Sequence, residues 1–321
     1  MEKIAVYNCR EDEKQLFDEI SKKYNFQIHA VQNAPYEYNI AETEGCRYVS
    51  VTSDSVLTTE VLEGFAHNGV QHIASRTIGL DHIPLKEAEK LGITVSNVSY
   101  SASSVADYAI MLMLMVYRRV KPLMLRAAGN DYRIMPGNRG QEIVDKTVGI
   151  IGTGNIGRTL ARHLQGFPVR LIACDLFPSE DLKGIAEYVS MEELLRQSDI
   201  ISLHVPVTQK NYHLIDQSTI SKMKKGVVLI NTARGALIDS DALIDGLESG
   251  QIAGAGLDVI EGDREIYYRD RGTDLVKNHE MAVLNSFSNV ILLPHMAFYT
   301  DNAVYDMVEN AIINCKDHRD N

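Results

Sequence analysis

The stretch "TVGIIGTGNIGRTLARHL" (residues 147–164) decides the fold of this chain. Gly152, Gly154 and Gly157 stand in G-x-G-x-x-G spacing, directly after the strand pattern "TVGII" and at the start of a helix pattern. The glycines permit a tight turn and a close approach of the backbone to a ligand, and the N-terminus of the helix attracts a diphosphate. The stretch therefore predicts the first strand and helix of a dinucleotide-binding fold.

The next strand pattern, "RLIACD", ends at Asp175, 18 residues after Gly157. An acid at this point can accept hydrogen bonds from an adenosine ribose and repels a 2′-phosphate. The alternative is a strand-terminal Asp without a role. Because strand, glycines, helix, strand and acid occur in the required order, the sequence predicts NAD as the cofactor in preference to NADP.

Short apolar runs alternate with amphipathic stretches on both sides of this motif. This alternation is typical of parallel sheets with helices on both faces. The runs before residue 100 predict a first unit, and six runs from "TVGII" to "NVILLP" predict a second, six-stranded unit. The final stretch, "TDNAVYDMVENAIINCKDH", predicts an amphipathic helix that can return to the first unit. The predicted fold class is α/β, with two doubly wound parallel-sheet domains that are Rossmann-like or flavodoxin-like.

Between the two units, residues 103–129 predict one long helix that is apolar on nearly all sides around "YAIMLMLMVY". A helix of this kind must be buried, either in a core or against a second subunit. Its methionines are also compatible with a groove for a cofactor or a peptide, although core or dimer packing is favoured. We therefore expect a homodimer.

The composition disfavours several classes of protein. The 321 residues suffice for two domains, and a net charge of −11 favours neither nucleic acid nor an anionic membrane as a partner. The longest apolar stretch is far shorter than the roughly 20 residues that span a bilayer. The sequence starts in a strand pattern without the features of a signal peptide, so a cytoplasmic location is expected. The four cysteines are scattered without a C-x-x-C pair, which predicts neither a disulfide framework nor a metal site.

Two polar residues follow strands of the second unit. Arg234 comes directly after the run "VVLINTA", and His295 follows "NVILLP". Both lie at the carboxyl edge, where such sheets bind ligands. The guanidinium can grip a substrate carboxylate, and its alternative is a surface ion pair. The imidazole can exchange a proton, and its alternative is a structural histidine.

The chain resembles the D-2-hydroxyacid dehydrogenases along essentially its whole length. The matching segments are "VGIIGTGNIGR", "LLRQSDIISLHVPVTQKNYHLID", "MKKGVVLINTARGALID" and "LLPHMAFYT". Within this family, "IASRTIGLDHI", "VSYSASSVADYA" and "AFYT" are most similar to the D-lactate dehydrogenase branch, and in particular to the vancomycin-resistance type. The resemblance implies a substrate domain of residues 1–100 and 299–321, an NAD-binding Rossmann domain of residues 101–298, and a catalytic cleft between them.

The resemblance also implies roles for matching residues. Arg234 would bind and polarise a 2-keto acid, and His295 would exchange the proton with the C2 oxygen. The substrate would further contact Ile78, Gly79, Tyr100 and Tyr299. Besides the three glycines and Asp175, NAD would contact Asn155, Ile156, Val205, Pro206, Asn211, Thr232, Ala233 and Asp258.

The loop "LDVIEGDREIYYRD" (257–270) contains two candidate acids. In the family, an acid five residues after the strand-end Asp pairs with the catalytic His and raises its pKa. Asp258 is that strand-end residue, so the matching position is Asp263, where the family usually has Glu. Glu261 stands two residues too early. Ala102 and Met296 also depart from the family pattern, in which Pro and Thr are common, and these departures suggest an altered pocket.

The sequence thus predicts an oxidoreductase that reduces a 2-keto acid with NADH, most simply pyruvate to D-lactate. Two alternatives stay open. One is a dehydrogenase for bulkier acids such as 2-ketoisocaproate or phenylpyruvate. The other is an NAD-sensing binding protein of the same fold, against which the presence of both Arg234 and His295 argues.

Overall fold

The computed structural model describes residues 1–320, apart from the side chain of Glu265. The chain forms two compact units. The first comprises Met1–Ser101 together with the chain from Tyr299 onward, and the second comprises Ala102–Phe298. Each unit has its own parallel sheet, which confirms the predicted α/β class with two doubly wound domains.

The first unit has a five-stranded sheet in the order β2-β1-β3-β4-β5. This order reverses between β1 and β3, and such sheets bind ligands at the carboxyl ends of the strands beside the reversal. The strands are β1 (Glu2–Val6), β2 (Phe26–Ala30), β3 (Tyr48–Val51), β4 (His72–Ser75) and β5 (Thr94–Ser96). The helices are α1 (Glu11–Lys23), α2 (Thr59–His67), α3 (Leu85–Lys90) and the last helix of the chain, α11 (Asp301–Asp320).

Helix α11 completes the core of the first unit. It packs against α1 and β4. Its residues Val308, Ile312 and Cys315 are fully buried, and their spacing of four and three residues is that of one helical face. A separate buried cluster contains Tyr7 and, from α2, Phe65. The last helix is therefore an integral part of the first unit.

The second unit has a seven-stranded sheet in the order β12-β11-β10-β9-β6-β7-β8. The strands are β6 (Thr147–Ile151), β7 (Arg170–Cys174), β8 (Glu187–Tyr188), β9 (Ile200–Leu203), β10 (Val227–Asn231), β11 (Ile252–Leu257) and β12 (Val290–Leu292). The helices are α4 (Ala102–Tyr117), α5 (Val120–Ala128), α6 (Asn155–Leu164), α7 (Met191–Gln197), α8 (Gln217–Lys222), α9 (Ser240–Glu248) and α10 (His279–Ser286).

The central strand β10 shows how this sheet is covered on both faces. All five of its residues are buried. Val227 and Leu229 belong to one hydrophobic cluster, whereas Val228 and Ile230 belong to another. Because successive strand residues point to opposite faces, the sheet lies between two layers of helices. Ligands can therefore bind this sheet only at the ends of its strands, and the predicted site residues lie at the carboxyl ends.

Two details differ from the sequence prediction. The single helix predicted for residues 103–129 is broken into α4 and α5, with Arg119 in the left-handed conformation at φ 51°. Pro122 explains the break, because it has no N–H to donate to a preceding turn and its ring clashes there. The second sheet also has a seventh strand, β8. Its two residues extend the edge beside β7 and are too few to show a periodic pattern.

Candidate active site

The glycine loop between β6 and α6 is shaped by two obligatory glycines. Gly152 has φ 95°, and a Cβ atom there would lie 2.5 Å from the carbonyl oxygen of His204. A Cβ at Gly157 would overlap the Gly152 carbonyl. At Gly154, by contrast, a Cβ would meet nothing within 4 Å. Helix α6 begins beside this open space with Asn155, followed by Ile156, and no side chain caps its N-terminus. The free N–H groups of its first turn therefore fit a diphosphate.

Asp175, the predicted ribose ligand, contacts this glycine loop. Its Oδ2 accepts hydrogen bonds from the Thr153 N–H at 2.5 Å and from the Thr153 hydroxyl at 2.9 Å, and its Oδ1 accepts the Phe177 N–H at 2.8 Å. Burial alone would raise the pKa of Asp175, but these hydrogen bonds outweigh it and lower the pKa. The carboxylate is therefore ionised beside the glycine loop, as recognition of ribose hydroxyls requires.

The loop after β9 contains three predicted cofactor residues. Val205 and Pro206 directly follow His204. Asn211 closes the loop, because its Nδ2 donates to the Pro206 carbonyl at 2.7 Å and its Oδ1 accepts the Thr208 N–H at 2.6 Å. The side chain of Asn211 therefore shapes this loop.

The turn after β10 carries Thr232, Ala233 and Arg234. Asn231, fully buried at the strand end, organises the turn by accepting the Ala233 N–H at 3.0 Å and donating to the Arg234 carbonyl at 2.8 Å. The Thr232 hydroxyl is buried and has no hydrogen-bond partner within the described residues. Such a group can bind a ligand at this edge, since leaving it unpaired is unfavourable.

The turn that carries Arg234 touches the loop that carries the two candidate acids. Gly235 lies so close to the backbone of Ile260 and Glu261 that a Cβ atom would overlap the Ile260 carbonyl group. Arg234 itself donates from Nη1 to the Ala233 carbonyl at 2.8 Å. Any side chain at position 235 would push these two segments apart. The backbone of the turn that carries Arg234 is thereby packed directly against the backbone of the acidic loop.

His295 stands in a tight turn after β12, with φ 56°. Its N–H donates to the Asp258 carbonyl at 2.8 Å, and the N–H groups of Met296 and Ala297 donate to the Asp258 carboxylate, each at 2.9 Å. The Tyr268 hydroxyl donates to the His295 carbonyl at 2.8 Å. Asp258 is fully buried. Its carboxylate therefore holds the His295 turn, a role that the sequence did not predict.

Burial sets the charge of the groups proposed to exchange the proton. Burial, together with the guanidinium groups of Arg234 and Arg264, lowers the pKa of His295 to about 4. Burial also raises the pKa of Asp263 to about 6, although its carboxylate accepts the Ile260 N–H at 3.1 Å. Among the described side chains, no hydrogen bond joins the His295 ring to Asp263. The pairing expected from the sequence is therefore not formed here, and the imidazole is neutral at pH 7.

In the first unit, the carbonyl groups of the turn after β4 accept hydrogen bonds, whereas two of its N–H groups do not donate any within the described residues. The Thr77 carbonyl accepts the Val98 N–H at 3.1 Å, the Ile78 carbonyl accepts the Asn97 side chain at 2.7 Å, and the Gly79 carbonyl accepts the Thr77 hydroxyl at 2.6 Å. Within the described residues, the N–H groups of Ile78 and Gly79 have no partner. Such an arrangement of N–H groups binds anions such as carboxylates.

The two tyrosines predicted to bind substrate also lie in the first unit. Tyr100 follows β5 and is partly exposed. Tyr299 is 46% exposed, its hydroxyl donates to the Asp12 carboxylate at 3.1 Å, and the Arg10 guanidinium lies 5.2 Å from its ring centroid. The ring of Tyr299 is therefore held in place from the side of α1.

Within residues 1–320, no helix is both long and apolar enough to cross a membrane. The same residues contain no group of three or more His, Cys, Asp or Glu side chains that could hold a metal ion.

This chain is similar to known proteins over nearly its whole length. The family model "D-isomer specific 2-hydroxyacid dehydrogenase, NAD binding domain" matches residues 110–297. A "D-specific alpha-keto acid dehydrogenase" from Enterococcus faecium is 38% identical over 98% of this chain and 96% of its own length. An "Aromatic 2-oxoacid reductase" from Clostridium sporogenes has the same identity over the same shares. A solved D-lactate dehydrogenase from Treponema pallidum superposes with a TM-score of 0.88 at 33% identity, covering 99% of this chain and 97% of that chain.

The chain belongs to the D-2-hydroxyacid dehydrogenase family. This confirms the resemblance seen in the sequence and the prediction of NAD as the cofactor. The protein is an NAD-dependent D-2-hydroxyacid dehydrogenase, and the uncapped start of α6 with the open space at Gly154 fits that cofactor.

Two residues that organise this dehydrogenase were missed from the sequence. Thr153, between the first two glycines, binds Asp175 through both its N–H and its hydroxyl. Arg76, directly after β4, is fully buried and donates to the Ser50 hydroxyl at 2.9 Å and to the Tyr7 carbonyl at 2.8 Å. The signal for Arg76 was a charged residue immediately before the "TIG" turn, where a parallel sheet binds ligands.

Proposed function

We propose that this dehydrogenase reduces pyruvate to D-lactate with NADH. The presence of Arg234 and His295 at the carboxyl edge of the sheet that carries the glycine loop is the observation that supports this most. The similarity to the Treponema pallidum D-lactate dehydrogenase supports the choice of pyruvate. Reduction of a bulkier or aromatic 2-oxo acid is the second candidate, favoured by the Clostridium sporogenes relative.

The proposed chemistry follows from the charges of the site. NADH supplies a hydride to the carbonyl carbon, and negative charge develops on the carbonyl oxygen. The guanidinium of Arg234 stabilises that charge. His295 then donates a proton to the oxygen, a step of general acid catalysis that is typically worth about 10²–10⁴-fold in rate. In the reverse direction, the neutral imidazole accepts the proton.

Reduction requires His295 to be protonated, although burial holds its pKa at about 4. A carboxylate beside the imidazole would favour the charged form. We propose that Asp263 provides it, by rotating its side chain away from the Ile260 N–H. A bound substrate carboxylate would add negative charge, and we propose that the N–H groups of Ile78 and Gly79 receive that carboxylate.

Oxidation of NADH by the purified protein with pyruvate, 2-ketoisocaproate and phenylpyruvate tests this proposal. We expect the highest kcat/KM with pyruvate. A higher value with phenylpyruvate would favour the second candidate, and no oxidation with any of the three acids would refute both. Asp263→Asn should retain NADH binding and lose reduction at alkaline pH first.

We also propose that the protein is a homodimer that works in the cytoplasm. Residues Met111, Leu114 and Met115 of α4 line an open cavity of about 630 Å³ with Phe167, and an exposed apolar surface of this kind marks a protein interface. The four free cysteines suit a reducing compartment. Leu114→Glu should convert a dimer to a monomer in sedimentation, whereas Leu275→Glu, at a residue 81% exposed, should not. A monomeric unmodified protein would refute the dimer.

A further inference from the structure

The carboxylate of Glu261 is bound by two neighbouring residues from another segment. The Tyr212 hydroxyl donates to Oε1 at 2.5 Å, and Nε2 of His213 lies 3.0 Å from both carboxylate oxygens. The rings of Tyr212 and His213 are stacked with their centroids 4.0 Å apart. On its other side, Nδ1 of His213 lies 3.7 Å from the Asp239 carboxylate. We call Tyr212, His213 and Glu261 the Glu261 latch.

The Glu261 latch connects the cofactor side of the site to its acid. Tyr212 directly follows Asn211, which closes the loop after β9 through its bond to Pro206. Glu261 precedes Asp263 by two residues, in the loop after β11. The backbone of His213 is fixed independently, because its N–H donates to the Ala236 carbonyl at 2.9 Å, next to the turn that carries Arg234. His213 thus connects the loop after β9 to the Glu261 carboxylate through its ring and to the turn after β10 through its backbone.

The two acids of the loop after β11 have different partners. Glu261 binds Tyr212 and His213, whereas the Asp263 carboxylate accepts the Ile260 N–H. The backbone of this loop is held as well, since Asn278 donates to the Glu261 carbonyl at 3.1 Å. The Glu261 carboxylate is therefore engaged away from the proton-transfer pair. Its side chain and that of His213 are 33% and 27% exposed, so solvent screens the pair and it adds little to folding stability.

We propose that Glu261 is a positioning residue, and that its latch couples cofactor binding to the placement of Asp263. Binding of the dinucleotide beside the loop after β9 orders Tyr212 and His213. These residues bind the Glu261 carboxylate. Because Asp263 follows only two residues later, fixing Glu261 also restricts the position of Asp263. This inference rests on the proposed cofactor role of the loop after β9 and on the proposed role of Asp263.

Direct titration of the purified enzyme with NADH, followed by the fluorescence of the nucleotide, tests the latch. Glu261→Gln keeps one acceptor but loses the charge and turns an amide N–H toward His213. We expect the Kd for NADH to rise about fivefold or more, the lower end of typical coupling between sites. Tyr212→Phe should raise it less, and the double variant should resemble Glu261→Gln, because residues of one interaction are not additive.

Glu193→Gln is the matched control. Glu193 is also a carboxylate of the second unit, and it accepts from the Ser190 N–H at 3.0 Å in the cap of α7. We expect its Kd for NADH to equal that of the unmodified enzyme. The pH profile of reduction gives a second measurement. The alkaline limb should move to lower pH in Glu261→Gln, but less than in Asp263→Asn, because a misplaced Asp263 carboxylate favours the imidazolium of His295 less.

Two results would overturn the latch. The first is a Kd for NADH within twofold of the unmodified enzyme in both Glu261→Gln and Tyr212→Phe. The second is an alkaline limb in Glu261→Gln that departs from this expectation. An unmoved limb would mean that Asp263 is placed without the latch, and a limb displaced further than in Asp263→Asn would make Glu261 itself the partner of His295. If Glu261→Gln does not fold, Tyr212→Phe alone decides. Failure of the substrate proposal is a separate result, because NADH binding can be measured in an enzyme that reduces none of the acids tested.

Discussion

The N–H of His295 donates to the carbonyl of Asp258, and the next two backbone N–H groups donate to the carboxylate of the same residue. His295 has φ 56°, a conformation uncommon for residues other than glycine. Such a backbone persists only where its surroundings enforce it. One buried carboxylate thus determines where His295, the residue proposed to transfer the proton, stands.

Asp258→Asn tests this dependence. The amide can accept from only one of the two N–H groups and presents its own N–H₂ to the other. We expect kcat to fall at least about tenfold, which corresponds to about 1.4 kcal/mol, close to the lower end for a hydrogen bond to a charged group. The Kd for NADH should change much less. Equal losses of kcat and NADH affinity would instead assign Asp258 to the cofactor, as the family resemblance implied.

The two acids of the loop after β11 should differ in their effect on the pH profile. If His295 donates the proton as proposed, reduction needs its imidazolium, and kcat/KM for reduction falls as pH rises. Asp263→Asn removes the carboxylate that favours this form and should move the alkaline limb to lower pH. Asp263→Glu, whose carboxylate reaches about 1.5 Å further, should preserve the limb or extend it upward. An unchanged limb in Asp263→Asn would exclude Asp263 as the partner of His295.

The raised pKa of Asp263 also predicts how stability depends on pH. Burial raises this pKa from 3.8 to about 6, so the folded protein binds the proton more tightly than the unfolded chain does. The favourable contribution of Asp263 to the free energy of unfolding is therefore full below pH 3.8 and is lost as pH rises through 6. The loss amounts to about 3 kcal/mol at most. Urea unfolding of Asp263→Asn should therefore show a smaller decline in the free energy of unfolding between pH 4 and pH 6. Parallel curves for both proteins would contradict the raised pKa of Asp263.

Arg234→Lys should reduce the stabilisation of the transition state by the enzyme. An ammonium group cannot reproduce the planar fork of N–H donors that a guanidinium presents to the carbonyl oxygen and the neighbouring carboxylate oxygen of a 2-oxo acid. We expect a loss of about 2 kcal/mol or more in kcat/KM, by analogy with removal of one donor to a developing oxyanion. Steady-state kinetics with pyruvate measures it. Nearly unchanged kinetics would assign Arg234 a structural role.

Asp175 should determine the choice of cofactor. Its ionised carboxylate repels a 2′-phosphate, so NADH should be preferred to NADPH by at least about tenfold in kcat/KM. Asp175→Ala should narrow this preference and also loosen the glycine loop, because Thr153 loses both of its bonds to the carboxylate. Equal use of both cofactors by the unmodified enzyme would refute the proposed ribose contact.

Local patterns explain what the sequence could predict. The glycine loop and the two sheets follow from residue spacing over short segments, and both were predicted correctly. The break at Arg119 was missed, although Pro122 signals it, because the apolar pattern of α4 continues past the break. The two residues of β8 contain no pattern to detect.

The site depends more on contacts between distant segments. Asp258 was recognised as a strand-end acid, yet its bonds reach Met296 and Ala297, which lie 38 and 39 positions away in the chain. The conformation of Asp263 depends equally on Ile260 and on the burial of its loop. Neither distance nor burial can be read from residue spacing, and the pairing of Asp263 with His295 stays a prediction.

The packing of α11 has a consequence for synthesis on the ribosome. The buried face of this helix lies against α1 and β4, which are made hundreds of residues earlier. The second unit is complete once Phe298 has left the exit tunnel, whereas the first unit must wait for residues up to Cys315. Nascent domains usually fold in the order of translation. In this chain the domain begun first is finished last, so the face of β4 that α11 covers stays uncovered until that helix has left the tunnel.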